Sequence, residues 1–285
     1  MNLIRDVKKA HPNYTVTELC SLFDVAMSCY YYESKSISDE DMQLITLMKA
    51  IDHEVHHVYG KRRMRAELVA RGHSVGLKKT AKLMKVANIQ AVTPRRKHRY
   101  VESEDEPKYA PNLLQRQFKQ ARANTHWVGD ITYLRTHQGW SYLACVLDCA
   151  TQEIVGYALS KSPNAELAKE ALKNALACKQ PNSPELLFHS DQGVQYSAKL
   201  FRTYLESLRI KQSMSRRGNC WDNAVMERFF RSLKTERLNN LSFINHNCVV
   251  AEVEQYIRFY NYKRRHSSID YQTPHQKYNQ WKKVS

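Results

Sequence analysis

Three acidic residues in the sequence have the types and spacing of one shared site. Asp130 lies in WVGDITYL, Asp191 in FHSDQGVQY and Glu227 in WDNAVMERFF, with 60 and 35 residues between successive acids. A charge inside a strand, as at Asp130, is costly to bury without a partner. Two carboxylates about 4 Å apart repel by roughly 4 kcal/mol at an effective dielectric near 20. A cluster of these acids would therefore take up protons or bind a divalent cation.

The chemistry open to such a cluster follows from its ligand atoms. Carboxylate oxygens favour Mg²⁺ or Mn²⁺ over zinc, and two such ions can activate a water or a 3′-hydroxyl against a phosphodiester. Each acid also has a plainer interpretation. Asp130 could be a satisfied polar residue at a sheet edge, Asp191 a helix cap and Glu227 a surface glutamate. Asp148 is the main rival acid, and we predict that it has a turn role near Thr151.

The residues around Glu227 add positive charge to the same predicted helix. Asn223 lies one turn before Glu227, Arg231 one turn after it, and Lys234 seven residues after it. Residues seven apart return to nearly the same face of a helix. We expect Asn223, Arg231 and Lys234 to contact DNA, although Lys234 could also be an ordinary solvated lysine.

The pattern of residues from 126 onward predicts the elements that position these acids. Strands rich in Val, Ile, Tyr and Trp are expected at 127–134, 141–147 and 154–159, then at 186–189 and 210–214. One helix, capped by Ser162, is expected before the fourth strand and a second, capped by Ser197, between the last two strands; a final helix is expected over 223–238. This order predicts an α/β fold with a mixed five-stranded sheet and flanking helices.

An all-helical region precedes the sheet. Residues 15–32 have the size of a helix-turn-helix, and a further helical block covers 41–93. In that block Lys78 and Lys82 are expected on the outer face of a helix, where they would contact DNA or form a solvated face. We predict a helix-turn-helix-like segment at 1–34, a second DNA-binding block at 41–93, a linker at 94–120 and a catalytic core with a basic tail at 121–285.

The charge distribution narrows the class of partner. The net charge of +16 divides into +8 over residues 1–125, −1 over 126–208 and +9 over 209–285. Basic arms attract a polyanion such as nucleic acid; a basic surface made for solubility is the alternative. No run of eighteen apolar residues occurs, so we expect no membrane span. The seven scattered cysteines indicate reduced thiols in a cytosolic protein.

Four segments carry a resemblance to a known family. They are WVGDITYL, HSDQGVQYSA, SRRGNCWDNAVMERFFRSLKTE and YNYKRRHSSIDYQTP. Together they resemble the catalytic domain of the retroviral integrase and insertion-sequence transposase superfamily. The resemblance is closest to the second-reading-frame product of bacterial elements whose transposase is split across two frames. It covers roughly residues 40–285, and the four motifs in combination are highly specific.

The resemblance implies an RNase H-like fold and a two-metal polynucleotidyl transferase. By this resemblance, the three catalytic acids of the family correspond to Asp130, Asp191 and Glu227. The lysine that contacts the DNA end corresponds to Lys234. The resemblance also implies double-stranded DNA at element ends and target, an upstream reading-frame protein and a homo-multimer as partners. Retroviral integrases have a His-His-Cys-Cys zinc module; this chain has His53 and His57 without a cysteine pair at ligand spacing, so we expect no zinc.

Three other functions fit parts of this pattern. A ribonuclease acting on RNA–DNA hybrids shares the fold, but it needs no basic helical front. A DNA-binding regulator with an inactive core predicts the loss of at least one acid, and all three acids are present. A structural nucleoid protein does not account for Asp130 inside a strand.

Overall fold

The amino-terminal part of the chain is helical. The computed structural model describes residues 2–31, 37–92, 109–216 and 220–284. Its first six helices are α1 (Asn2–Ala10), α2 (Val16–Leu22), α3 (Met27–Tyr30), α4 (Asp39–Glu54), α5 (Lys61–Ala70) and α6 (Leu77–Val86). The chain divides into two compact units, Met1–Thr46 and Leu47–Ser285, so the boundary falls inside α4.

The first unit contains the predicted helix-turn-helix segment, which forms the short helices α2 and α3. Thr15 begins α2 with a capping box: its hydroxyl accepts a hydrogen bond from the Glu18 amide at 3.1 Å, and the Glu18 carboxylate accepts one from the Thr15 amide at 2.7 Å. These bonds satisfy amides that a helix start leaves unpaired. Leu19 and Cys20 are buried within the unit.

The helical block at the front of the second unit has an apolar inner face and a basic outer face. The end of α4, α5 and α6 bury Met48, Ile51, Met64, Leu68 and Leu83. On α6 the side chains of Lys78 and Lys82 are exposed, as predicted from the helical spacing.

A five-stranded mixed sheet forms the centre of the second unit. The strands are β1 (His126–Thr136), β2 (Gly139–Asp148), β3 (Ile154–Ser160), β4 (Leu187–Ser190) and β5 (Lys211–Met214). The first three strands form an antiparallel meander, whereas β4 is parallel to β1 and β5 is parallel to β4, in the order β3-β2-β1-β4-β5. The predicted mixed sheet and its strand order along the chain are confirmed.

Six further helices flank the sheet or follow it. They are α7 (Ala165–Lys179), α8 (Val194–Ser197), α9 (Lys199–Ser207), α10 (Ala224–Glu236), α11 (His246–Tyr262) and α12 (Pro274–Val284). Two predicted caps were wrong. The side chain of Asn164, not Ser162, caps α7 through the Leu167 amide at 3.0 Å. Helix α9 begins after Ala198 without a side-chain cap, and Ser197 instead ends α8.

Helix α7 packs directly against β3, and Gly156 permits this close approach. A Cβ atom at Gly156 would lie 2.5 Å from the Ala171 carbonyl oxygen and 2.6 Å from the Ala175 Cβ. Cβ atoms in proteins do not lie this close to non-bonded atoms, so a side chain here would force the helix away from the sheet. The core between α7 and the sheet is built from small and branched residues, including Ala168, Leu172 and Val155.

Side chains and a loop lie along both edge strands. At β3 the Asn261 amide bonds both backbone groups of Ile154, each at 2.9 Å, and Asn174 donates to the Tyr157 carbonyl at 3.0 Å. At β5 the Met214 amide donates to the Pro111 carbonyl at 3.3 Å, and the Ser213 hydroxyl accepts from the Leu113 amide at 2.9 Å. The predicted linker at 94–120 thus covers β5 with its described part; residues 94–108 lie outside the described residues.

Candidate active site

Asp130 is held in the middle of the sheet by its position on β1. It pairs across the ladder with Cys145 of β2. Its Oδ1 accepts a hydrogen bond from the Ile131 amide at 2.7 Å, and the side chain is half-buried. The preceding Gly129 lies under the ring of Phe188, where a Cβ atom would collide with the ring. The glycine therefore lets β4 pack tightly beside the strand that carries Asp130.

Asp191 lies beside Asp130, directly after the neighbouring strand β4. The parallel ladder between β1 and β4 pairs Val128 with His189. Asp130 and Asp191 are each two residues beyond this pair, and parallel neighbours lie about 4.8 Å apart. The Asp191 Oδ1 accepts a hydrogen bond from the Gly193 amide at 3.0 Å. The register of two strands thus places the two aspartates side by side.

Glu227 comes close to the two aspartates from the first turn of α10. Asn223, which begins the helix, donates a hydrogen bond from Nδ2 to the Gly129 carbonyl at 3.4 Å, next to Asp130. Buried Met226 and Phe229 anchor the helix, while the Glu227 side chain faces solvent. Helix α10 therefore presents Glu227 beside β1.

The carboxylates of Asp191 and Glu227 both act electrostatically on Asp130. Burial, the Asp191 carboxylate and the Glu227 carboxylate raise the pKa of Asp130 to about 8, against the opposing effect of the Lys234 ammonium. Partial burial raises the pKa of Asp191 and of Glu227. Burial lowers the pKa of Lys234, which Asp130 opposes. The site is an acidic cluster next to one lysine, and an added cation would stabilise its ionised form.

The carboxylates are neighbours without forming a closed set of ligands. Within residues 2–31, 37–92, 109–216 and 220–284, no group of three or more His, Cys, Asp or Glu side chains is placed to hold a metal ion. The cluster is therefore defined by strand register and charge interaction.

The predicted DNA contacts fall into two places. Arg231 is exposed on α10, where its charge acts on Glu227, and Lys234 is half-buried within range of Asp130. Lys78 and Lys82 are exposed on α6, outside the acidic cluster. Asn223 is only 4% exposed and bonds the Gly129 carbonyl, so it holds α10 against β1. Its predicted contact with DNA stays a prediction.

His189 and Asp148 have structural partners. His189 is fully buried between the hydroxyls of Ser213 and Ser215, at 2.8 and 3.2 Å, and burial lowers its pKa to about 4. The Asp148 carboxylate accepts hydrogen bonds from the amides of Thr151 at 2.8 Å and Asn124 at 2.6 Å. Asp148 thus has the turn role that the sequence predicted.

Asp222 is an important residue that the sequence analysis missed. Its carboxylate is fully buried and accepts from Arg116 Nε at 2.6 Å, Arg216 Nε at 3.1 Å and Asn112 Nδ2 at 2.9 Å. These partners hold the pKa of Asp222 well below its ordinary value, against the opposing effect of burial. Asp222 therefore holds in place the segment that leads into α10, five residues before Glu227. Arg216 lies six residues before Asp222 and could have indicated this ion pair from the sequence. Arg116 could not, because it lies 106 residues from Asp222.

Family models match the two parts of the chain separately. Two models described as integrase core domain match residues 120–220 and 208–274, and a model described as HTH-like domain matches residues 39–97. The sheet, helices α7 to α11 and the acidic cluster lie within the first two matches. The fold and site thus define a chain with an integrase core.

Curated relatives identify the family. A 31 kDa protein of insertion element IS600 from Shigella sonnei is 37% identical over 92% of this chain and 99% of its own length. The transposase for insertion sequence element IS904 from Lactococcus lactis is 34% identical over 81% of this chain and 92% of its own length. Transposase InsF for insertion sequence IS3A from Escherichia coli is 36% identical over 73% of each chain. The chain belongs to the family of insertion-sequence transposases, which are polynucleotidyl transferases.

Solved structures that resemble this chain are more distant from it in sequence. The catalytic core domain of HTLV-2 integrase, solved with magnesium, is 17% identical over 55% of this chain and 97% of its own, with a TM-score of 0.43. The simian T-cell lymphotropic virus intasome, solved with a PP2A regulatory subunit, is 17% identical over 74% of this chain and 69% of that chain, with a TM-score of 0.45. The family assignment accordingly rests on the curated relatives.

Proposed function

We propose that this transposase cleaves and joins DNA strands at the ends of its insertion sequence through Asp130, Asp191 and Glu227. The supporting observation is that strand register sets Asp130 beside Asp191, while the charges of Asp191 and Glu227 both raise the pKa of Asp130. A structural acid is normally neutralised by a partner, as Asp222 is. Here three carboxyl groups lie together at a site open to solvent, which is typical of a cation site.

The donor atoms fit Mg²⁺ or Mn²⁺. The three residues offer carboxylate oxygens alone, which hard divalent cations prefer, and the side chains of Asp191 and Glu227 are exposed. We propose that Asp130, Asp191 and Glu227 would hold two ions. When bound, these ions supply the activation of water or a 3′-hydroxyl and stabilise the leaving oxygen of the phosphodiester.

The protein's own residues have separate tasks in this proposal. Asp130 and Asp191 are fixed by backbone amides, so they define the position of the site. Glu227 faces solvent and completes the carboxylate set from α10. Lys234 and the exposed Arg231 lie on the same helix, where they would bind the phosphates that flank the scissile bond. Ordering the carboxylates before the DNA arrives reduces the entropy cost of the reaction.

Recognition of the element ends is proposed for the helical block. Lys78 and Lys82 form an exposed basic face on α6, within the part of the chain that matches an HTH-like domain. Double-stranded DNA, both as element end and as target, is the proposed substrate. The upstream reading-frame protein of the same element and further copies of this chain are the proposed partners, since two ends must be held together.

The test is the nicking and joining of a labelled duplex that carries the ends flanking the gene. Wild-type protein is compared with Glu227→Gln and with Glu206→Gln in Mg²⁺, in Mn²⁺ and in chelator. Glu206 is an exposed glutamate on α9 and serves as the matched control. We expect metal-dependent products from the wild type and the Glu206 variant, and a loss of at least 100-fold in the Glu227 variant.

Unchanged products from Glu227→Gln would remove Glu227 from the site and refute the three-acid proposal. If no protein reacts, the assay is repeated with the upstream reading-frame protein added. Continued inactivity together with tight binding to the ends would favour the second candidate, a DNA-binding regulator with an inactive core.

A further inference from the structure

The carboxylate of Glu236, at the last residue of α10, is the centre of a buried polar cluster. It accepts hydrogen bonds from Arg264 Nη2 at 2.6 Å, from Arg264 Nε at 2.8 Å and from the Tyr256 hydroxyl at 2.8 Å. The side chains of Arg264 and Glu236 are 6% and 10% exposed. Arg264 belongs to the segment YNYKRRHSSIDYQTP, to which the proposed chemistry assigns no task.

This cluster holds α10 at more than one point. Arg264 also donates to the Ser232 hydroxyl at 3.2 Å, one turn before Glu236. The guanidinium of Arg264 lies 5.3 Å from the ring centre of Tyr260, which packs edge-on at 4.9 Å against Phe229. Phe229 is two residues from Glu227. The cluster therefore fixes α10 along the stretch that follows the proposed catalytic glutamate.

The same segment also holds the helical block. Arg63 of α5 lies 3.7 Å from Glu236. Arg265 pairs with Glu67 of α5 at 2.5 Å. The hydroxyl of Tyr59, just before α5, donates to the Lys263 carbonyl at 3.0 Å and accepts from the Arg265 amide at 3.0 Å. Residues 263–265 thus lie between α5 and α10 and bond to both.

We propose that Glu236 is a positioning residue, which keeps Glu227 in place by tying α10 to the helical block through Arg264 and Arg63. This inference rests on the proposed function of Glu227. Glu236 lies nine positions after Glu227, about 13.5 Å along the helix at 1.5 Å per residue, and a packed helix moves as a unit. A buried ion pair adds little stability over apolar packing, and in some proteins its geometry selects one arrangement of the surrounding elements. That geometry is what a catalytic helix requires.

The test compares three single variants in the full chain. Glu236→Gln removes the charge with little change of shape, and Arg63→Gln removes the ion pair between Glu236 and α5 together with the Arg63 bond to the Val58 carbonyl. Glu252→Gln is the matched control, because Arg237–Glu252 is an ion pair of 2.6 Å that joins the end of α10 to α11 and not to α5. Mn²⁺ affinity is measured by electron paramagnetic resonance, and kcat and KM are measured for end cleavage. Circular dichroism verifies that each variant is folded.

We expect Glu236→Gln to weaken Mn²⁺ binding and to lower kcat by roughly ten-fold each, with an unchanged KM for DNA. Arg63→Gln should change both in the same direction by about two- to three-fold, and Glu252→Gln should match the wild type. In a Glu227→Gln background, adding Glu236→Gln should not weaken Mn²⁺ binding further, because Glu236 acts through Glu227.

Wild-type Mn²⁺ affinity and kcat in folded Glu236→Gln, or an equal loss in Glu252→Gln, would overturn the positioning role. If Glu236→Gln does not fold, Arg63→Gln decides, since it keeps the Arg264 pair. A different result would refute the proposed function: Glu227→Gln by itself would leave Mn²⁺ affinity and cleavage unchanged.

Discussion

At Asp130, burial and neighbouring negative charge act in the same direction. Both disfavour the carboxylate and raise its pKa. At Asp222 burial acts the same way, but two arginines reverse the outcome and keep the group ionised. The difference between a structural acid and a candidate ligand therefore lies in the charged partners, because burial raises the pKa of both carboxyl groups.

The raised pKa of Asp130 predicts how stability depends on pH. Its ordinary value is 3.8 and its value in the folded protein is about 8, so the folded protein binds the proton more tightly than the unfolded chain does. The contribution of Asp130 to stability is therefore greatest at low pH and is lost as pH rises from 3.8 towards 8. In metal-free protein, Asp130→Asn should therefore raise the melting temperature at pH 8 by a few degrees and by less at pH 5. Thermal unfolding between pH 5 and 8 measures this; an equal shift at both pH values would contradict it.

His189 predicts the opposite pH dependence. Its pKa is lowered from 6.5 to about 4 by burial, so folding favours the neutral ring and stability is lost as pH falls from 6.5 towards 4. This loss should reach roughly 3 kcal/mol in the wild type. His189→Asn should be less stable at neutral pH, because the hydrogen bonds to Ser213 and Ser215 are altered, yet it should lose less on acidification. Urea unfolding at pH 7 and pH 4.5 tests this, and a parallel loss in the variant would exclude His189 as the source.

The residues of the site differ in how far the sequence predicts them. Asp130, Asp191 and Glu227 could be proposed because each lies at a recognisable position of a strand or helix. Asp222 could not, because its partner Arg116 lies 106 residues away and is brought close only by folding. The partners of Glu236 have the same character, since Arg264 is separated from it by 28 residues of chain.

At the scale of elements, hydrophobic patterning predicted the strands and their order along the chain, because β1 to β4 contain Val, Ile, Leu or aromatic residues and Ile210 precedes the short strand β5. Cap positions were less predictable. The buried line of Leu167, Ala171 and Leu172 sets where α7 can begin, and Asn164 rather than Ser162 then meets the free amide. Such a choice depends on packing against the sheet and cannot be read from serine and proline alone.

The contact of α7 with β3 predicts the effect of one methyl group. Gly156→Ala would place a Cβ atom against the backbone of α7, so the helix must shift and the protein should lose about 1–3 kcal/mol. Gly76→Ala is the control, because a Cβ atom there meets nothing within 4 Å, and it should cost less than about 1 kcal/mol. Urea unfolding of both variants measures the difference; equal losses would mean that α7 does not approach β3 as described.

At the scale of the whole molecule, basic charge lies at both ends of the sequence and the middle is nearly neutral. Residues 126–208, which contain two of the three acids, have a net charge of −1, against +8 before them and +9 after them. This distribution was available from the sequence, as was the family. The connection of the helical block to α10 through residues 263–265 was not, because it joins segments about 200 residues apart.

The basic outer face of α6 predicts a salt-dependent contribution to DNA binding. Each phosphate contact steepens the dependence of log Kobs on log salt by about 0.9. Replacing Lys78 and Lys82 together by alanine should therefore flatten the slope by about 1.8 if both contact phosphates. Lys199→Ala is the control, an exposed lysine in the nearly neutral part of the chain. Binding to a labelled end duplex over a range of salt measures both; an unchanged slope in the double variant would place the contacts elsewhere.

The bonds from Asn261 to Ile154 have a consequence for crowded assemblies. An open strand edge invites other strands to add to it and so leads to aggregation. At the first residue of β3 the carboxamide of Asn261 occupies both positions that an incoming strand would use. Copies of the protein gathered at high local concentration on one DNA molecule would therefore be discouraged from fusing edge to edge, and would remain free to associate through their DNA.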